Sequence, residues 1–200
     1  MTDAVEALRE GKPVVLPFDT VYGLAADPHQ EPAVRRLYEL KGRAETDPSA
    51  LVAHDFDYLL ECVPELRGHV AERARLLLPG PVTLVLANPA GRFRWLTGTN
   101  PGAIGVRVPS FDGPGADVLE RVGVVAATSA NRPGGRDPKR LDEVPEAIRE
   151  GAGALVDGGE LPGSPSTVID LTGAEPRILR EGALPAEEAL RRLGAAVRSG

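Results

Sequence analysis

Val14-Val15-Leu16-Pro17-Phe18-Asp19-Thr20-Val21-Tyr22-Gly23-Leu24-Ala25-Ala26 sets an apolar run directly before a cluster of polar groups. Val14 to Leu16 has the unbroken apolar character of a buried strand, and a carboxylate, a hydroxyl and a phenol follow it within six residues. Two readings are open at this point. Asp19 and Thr20 close a turn by side-chain to backbone bonding, or they wall a ligand site, since α/β proteins place ligands at strand ends and in the loops beyond them.

Working outward, short apolar runs alternate with amphipathic stretches. Ala4, Val5 and Leu8 suit a first helix that Gly11 stops. Glu31 to Leu40 carries Val34, Leu37, Tyr38 and Leu40 on one side and reads as an amphipathic helix that delivers the chain to Lys41-Gly42-Arg43. Ala50 to Ala53 is a strand by pattern, and Asp57 to Cys62 and Gly68 to Leu78 are helical by spacing. Pro79-Gly80-Pro81 breaks the helix before a strand over Val82 to Leu86. Further strands are expected at Ile104 to Val108, Val124 to Ala127, Ala154 to Val156, Thr167 to Leu171 and Arg177 to Leu179, with a closing helix from Pro185 to Val197. The interleaving predicts a mixed α/β (α+β) domain around one sheet, spanning residues 1–200 without a linker or a repeat. The 23 Gly and 19 Pro are spread between elements, as turns require.

Composition narrows the function classes. The chain has 200 residues, 42% of them hydrophobic, which is enough to bury a core and too much for disorder. A net charge of -6 argues against a broad electrostatic grip on nucleic acid. The single cysteine, Cys62, cannot form an internal disulfide and points to a reducing compartment. No basic-then-apolar leader opens the chain and no apolar run reaches bilayer length, so a cytoplasmic, non-membrane protein is expected.

Four polar places stand at strand or helix ends: Asp19-Thr20, Lys41-Gly42-Arg43, Arg107 within Val106-Arg107-Val108-Pro109, and Thr128-Ser129-Ala130-Asn131. Lys41 and Arg43 also fit ordinary helix C-terminal cations, and residues 128–131 also fit a helix cap or an Asx turn. Arg107 in an apolar strand needs an anion, either a carboxylate of this chain or one on a ligand. Ser164 to Asp170 and Arg177 to Gly182 add candidates from the C-terminal third. His29, His54 and His69 lack zinc-site spacing and read as surface residues. Neither a phosphate-binding loop with Gly-Lys-Ser/Thr nor a Gly-x-Ser-x-Gly elbow is present. Cys62 lies on a helical face and reads as core. The inventory is therefore hydroxyls with Arg and Lys, which suits binding and charge stabilisation of phosphates and carboxylates.

Taken in order, Pro17-Phe18-Asp19-Thr20-Val21-Tyr22-Gly23-Leu24, Lys41-Gly42-Arg43, Pro79-Gly80-Pro81-Val82-Thr83, Val106-Arg107-Val108-Pro109, Thr128-Ser129-Ala130-Asn131, Ser166-Thr167-Val168-Ile169-Asp170 and Arg177-Ile178-Leu179-Arg180 resemble the YrdC/Sua5 family of threonylcarbamoyl-AMP synthases. The similarity runs from about residue 5 to residue 185. It implies a twisted mixed sheet flanked by helices around a large, open, positively lined cavity. It also implies a reaction in which L-threonine, bicarbonate or CO2, and ATP give threonylcarbamoyl-AMP and pyrophosphate, with Mg2+ beside the phosphates. A tRNA-modifying threonylcarbamoyl transferase complex would take the product to adenosine 37.

By motif, the resemblance places Thr20, Arg107 and Ser166 at the threonine, and Lys41, Arg43, Ser129, Asn131 and Arg180 at the ATP, with Lys41 and Arg43 catalytic. Thr20 and Tyr22 are expected to line the threonine pocket. Phe18, Ala44, Ser49 and Val52 depart from the family pattern, and His54 is left out of the site. The length matches the short, single-domain form. A competing reading is a non-catalytic module that binds RNA, double-stranded RNA included, or the ribosome; the acidic balance weighs against it. Another is a relative that forms carbamoyl-adenylate from carbamoyl phosphate.

Overall fold

A computed structural model of the chain describes residues 2–194. In chain order the elements are α1 (Thr2–Arg9), β1 (Val14–Pro17), β2 (Tyr22–Ala26), α2 (Glu31–Lys41), β3 (Ala50–Ala53), α3 (Phe56–Cys62), α4 (Gly68–Arg75) and β4 (Val82–Ala87). There follow β5 (Ala103–Arg107), α5 (Pro114–Val122), β6 (Val124–Ser129), α6 (Glu146–Gly151), β7 (Ala154–Leu155), β8 (Thr167–Asp170), β9 (Arg177–Arg180) and α7 (Ala186–Arg192).

The strands form one mixed sheet in the order β7-β1-β2-β6-β3-β5-β4-β8-β9. β1 and β2 pair antiparallel through Pro17↔Tyr22, so the opening stretch is a hairpin with Phe18 to Val21 at its tip. β2 then pairs antiparallel with β6, and β6 with β3. β3 runs parallel to β5, and β4 links antiparallel β5 to parallel β8.

Burial follows the two faces of this sheet. On one face Tyr22, Leu24, Leu51, Leu84, Ile104 and Ile169 pack beneath α2, α3 and α4. On the other, Val14, Leu16, Ala25, Val125 and Ala127 pack beneath α1 and α5. Those two helices cover only the β7-β1-β2-β6 side. Across β4 and β5 burial alternates, with Leu84, Leu86, Ile104 and Val106 sealed and Thr83, Val85, Ala103 and Gly105 partly open. The open positions therefore belong to the face that carries no helix.

Several elements depart from the pattern-based expectation. The sequence pattern predicts no strand at Tyr22–Ala26, since Gly23, Ala25 and Ala26 are poor strand formers. Its partners β1 and β6 make it a strand. The sequence pattern also predicts neither α5 nor α6; α5 starts with Pro114 in its first turn after Gly113 at φ 96, and α6 has only six residues. α4 stops at Arg75 rather than Leu78, where the chain tightens into a turn with Leu76 N and Leu77 N donating to Arg73 O and Ala74 O. The closing helix is Ala186–Arg192, and residues 195–197 of the expected helix lie outside the described residues.

The approach of α5 to β1 depends on Gly115. A Cβ there would lie 2.1 Å from the Pro17 carbonyl oxygen, a backbone atom that cannot swing aside. Gly115→Ala should therefore cost roughly 1–3 kcal/mol, as overpacking does. The thermal midpoint should fall by roughly 2–10 °C. Gly102→Ala, whose added carbon meets nothing closer than 3.4 Å, should change it far less when both are followed by calorimetry.

Candidate active site

The uncovered part of the sheet floors a cleft of about 550 Å3. Strand register dictates its layout. Val52 sits beside Arg107, Thr83 follows on β4, Val168 on β8 and Arg180 on β9, one row across the sheet. The next row is Ala50, Gly105, Val85, Asp170 and Arg177. Small residues, Ala50 and Gly105, thus floor the β3-β5 part, Asp170, Arg177 and Arg180 stand at the β8-β9 end, and Arg107 rises from β5. Phe18 lies across Gly23 at the hairpin end, where any Cβ would come within 2.5 Å of the ring.

Arg107 is 8% exposed and answers the question its strand position raised: its anion is Asp19 of this chain. The guanidinium Nη2 donates to Asp19 Oδ1 and also to Thr20 Oγ1 at 2.8 Å. The Phe18 ring lies 5.9 Å away. Burial pushes the Asp19 carboxyl above the ordinary carboxylate range, against the pull of the Arg107 charge. Burial likewise pulls the Arg107 guanidinium below its usual value, against Asp19. A pair desolvated on both sides returns little stability, so its place in the cleft wall has to be explained by what the guanidinium does there.

At the other side, α2 ends with Gly42 in the left-handed region at φ 70, which turns Lys41 and Arg43 in different directions. Lys41 is 2% exposed and lies behind the cleft wall. Its ammonium donates to Ser129 O at 2.6 Å, Asn131 O at 3.0 Å and Asn131 Oδ1 at 2.7 Å, which uses all three hydrogens. Asn131 Nδ2 donates to Gly135 O at 2.6 Å, so the amide has one possible orientation. Ser129 Oγ must then donate to Asn131 Oδ1 at 2.7 Å, and it meets the cleft with its lone pairs. Arg43 lines the cleft, donating to Thr128 Oγ1 at 3.2 Å and Pro48 O at 2.7 Å. On the far wall Arg180 donates to Ser166 O at 2.8 Å, and Ser166 Oγ meets Thr83 Oγ1 at 2.9 Å.

Of the residues singled out from sequence, Thr20, Arg43, Arg107, Ser129, Ser166 and Arg180 line this one cleft. Lys41 and Asn131 form the layer behind it. Tyr22 is a correction. Strand alternation turns it to the opposite face, where its hydroxyl donates to Gly159 O at 2.8 Å and accepts from Gly158 N at 2.9 Å. Asp137, Asp170, Arg177 and Thr128 also line the cleft without having been assigned a role. The β8 and β9 pattern places Asp170 and Arg177 there, but Asp137 sits in a loop with no sequence signal. Although the chain is net acidic, the cleft gathers Arg43, Arg107, Arg177 and Arg180. His54 lies outside it beside Tyr58, and burial raises the Cys62 thiol to about 11, which leaves it a poor nucleophile.

Three comparisons bear on this site. The Sua5/YciO/YrdC family model, described as telomere recombination, matches residues 6–182. A threonylcarbamoyl-AMP synthase of Pyrococcus abyssi is 37% identical over 182 residues, covering 90% of this chain and 53% of that protein. A putative threonylcarbamoyl-AMP synthase of Mycobacterium tuberculosis is 31% identical over 195 residues, covering 97% of this chain and 89% of that one. Among solved structures, P. abyssi Sua5 complexed with L-threonine superposes with a TM-score of 0.86 at 36% identity, over 96% of this chain and 56% of that one. E. coli YciO gives 0.78 at 27% identity, over 94% and 91%. The chain thus spans about half the length of the P. abyssi relative.

Burial, and next the nearby Arg43 charge, lower the Lys41 pKa from 10.5 to about 8. Between those values the unfolded chain binds more protons at this position than the folded one, so the contribution of Lys41 to stability rises with pH across that window. Denaturant unfolding of the wild type and Lys41→Met, below and above the window, should show the wild type gaining relative to the variant at the higher pH. An unchanged difference would contradict the buried, destabilised ammonium.

Proposed function

The chain belongs to the Sua5/YciO/YrdC family, and on that footing we propose that it is an L-threonylcarbamoyladenylate synthase. It would join L-threonine, bicarbonate or CO2, and ATP into threonylcarbamoyl-AMP, releasing pyrophosphate. One observation carries the reading: a single cleft holds Arg107, a guanidinium held against the buried Asp19, together with the Arg43, Arg180 and Ser129 group. L-Threonine bound to P. abyssi Sua5 supports the choice of amino acid.

The threonine amine condenses with bicarbonate, losing water, to give a carbamate. A carbamate oxygen attacks the α-phosphorus of ATP, the new P–O bond forms as the bond to the β-phosphate oxygen breaks, and pyrophosphate leaves. No covalent bond to the protein is needed. The work is to hold two anions in line and offset charge on the phosphate oxygens. Arg43 and Arg180 serve that purpose at the cleft surface, and Lys41 serves it from behind by holding the loop that carries Ser129. The lone pairs of Ser129 suit a hydroxyl or amino hydrogen of the nucleoside. Arg107 grips the threonine carboxylate beside Thr20, with Ser166 nearby.

Among the described residues no cluster of three metal-ligating side chains occurs. Mg2+ that arrives on a triphosphate needs only one or two carboxylates, and Asp137 and Asp170 of the cleft fit that demand. Such an ion would supply charge neutralisation on the phosphates. A tRNA-modifying transferase complex would consume the product.

With ATP and bicarbonate, pyrophosphate release should depend on L-threonine among the amino acids; release independent of threonine, or none, would overturn the reading. Arg107→Lys keeps a charge for Asp19 but loses the planar fork. It should raise the KM for threonine roughly 10- to 100-fold, the worth of a charged hydrogen bond. The KM for ATP should move less than about threefold, within ordinary variation between independent sites. Equal losses for both substrates would contradict the assignment of Arg107.

A further inference from the structure

Asp19 is not part of the cleft surface, yet it bears directly on the residues that are. Arg107 Nη2 carries two hydrogens. One goes to Asp19 Oδ1 and the other to Thr20 Oγ1. A guanidinium can only donate, so Thr20 Oγ1 is the acceptor in that bond and its own hydrogen must go elsewhere. Thr20 makes no other side-chain hydrogen bond among the described residues, is 1% exposed, and lines the cleft. The one direction left for its hydrogen is into the cleft. Among the described residues Arg107 Nη1 also makes no hydrogen bond, and Nε is sealed from solvent without a partner. The guanidinium is thus clamped from behind at Nη2, and the Nη1 side is the edge a ligand can reach.

From this geometry we infer that Asp19 is a positioning residue: by holding Arg107 Nη2 against Thr20 Oγ1, it makes the Thr20 hydroxyl a donor into the cleft. Thr20 Oγ–H and Arg107 Nη1 then form a two-donor seat for one substrate carboxylate. The inference rests on the reading of the cleft as an amino-acid site and adds to it the residue that orients the seat. Without the carboxylate behind it, the guanidinium is free to turn toward the cleft. The Thr20 hydroxyl then loses the donor that dictates its direction. Asp19 also makes the seat electrically modest, because its carboxylate meets the guanidinium charge inside the protein. Recognition of the ligand then depends on the direction of two hydrogens more than on net charge, which favours a planar carboxylate over a diffuse anion.

The test is a double-mutant cycle read by calorimetric titration of L-threonine and, separately, ATP. Asp19→Asn and Thr20→Val should each weaken L-threonine about tenfold, the loss expected for one charge-assisted hydrogen bond, and leave ATP affinity within about twofold. Because Asp19 acts through Thr20 and Arg107, the double variant should be no more than about threefold worse than the poorer single one. Thr20→Ser, which keeps the hydroxyl, should recover most of the loss seen in Thr20→Val. If Asp19→Asn does not fold, Asp19→Glu takes its place, since it keeps the charge but displaces it. Losses that multiply to roughly 100-fold in the double variant would overturn the inference, as would equal losses for ATP. If the wild type binds no L-threonine, the amino-acid reading of the cleft itself falls, and this seat with it. Binding with multiplicative losses removes only the role of Asp19.

Discussion

Half of one face of the sheet lacks a helical cover, and every feature of the candidate site depends on that. The helices available to this face are α1, with eight residues, and α5, with nine. Each is about 10 Å wide, and strands lie about 4.8 Å apart, so two helices roof about four strands. They roof β7, β1, β2 and β6. The remaining strands project every second side chain into solvent on that face, and the mixed register aligns those side chains into rows. The cleft is therefore a strip of sheet that the fold leaves bare.

This bare strip is neither uniformly polar nor flat. Ala50 and Gly105 leave space above the backbone of β3 and β5, and guanidinium groups stand around that space. Arginine suits such positions because it keeps its charge when partly desolvated and offers directed hydrogens. The local excess of cations within an acidic protein gives an anionic ligand one attractive place to settle. Buried groups behind the wall hold the visible ones in register. Asp19 stands behind Arg107, and Lys41 and Asn131 stand behind Ser129. Both arrangements spend desolvation energy on fixing directions.

Much of the site was legible before any coordinates. Thr20, Arg43, Arg107, Ser129, Ser166 and Arg180 could be singled out because polar groups interrupt or end apolar runs, and the ordered motifs tied them to one family. What escaped was dictated by pairing. Tyr22 sits two residues from Thr20 but lies on the other face, since Thr20 belongs to the hairpin tip outside the strand and alternation along β2 gives the cleft face to Gly23. β2 itself is hidden because Gly23, Ala25 and Ala26 have little strand propensity of their own, and pairing with β1 and β6 supplies what they lack. Asp137 was invisible because a loop residue has no periodicity to betray its direction.

The sequence by itself determined the strand and helix content in outline, the family, and the presence of an arginine that had to find an anion. Hydrophobic period and local turn chemistry carry that information, because both act over a few residues. Only the tertiary structure decided which anion Arg107 meets, that Lys41 spends its hydrogens inside the wall, and that the Thr20 hydroxyl faces the cleft as a donor. Those outcomes rest on contacts between residues about ninety positions apart in the chain, and hydrogen-bond direction is settled only when every donor and acceptor around a group is in place.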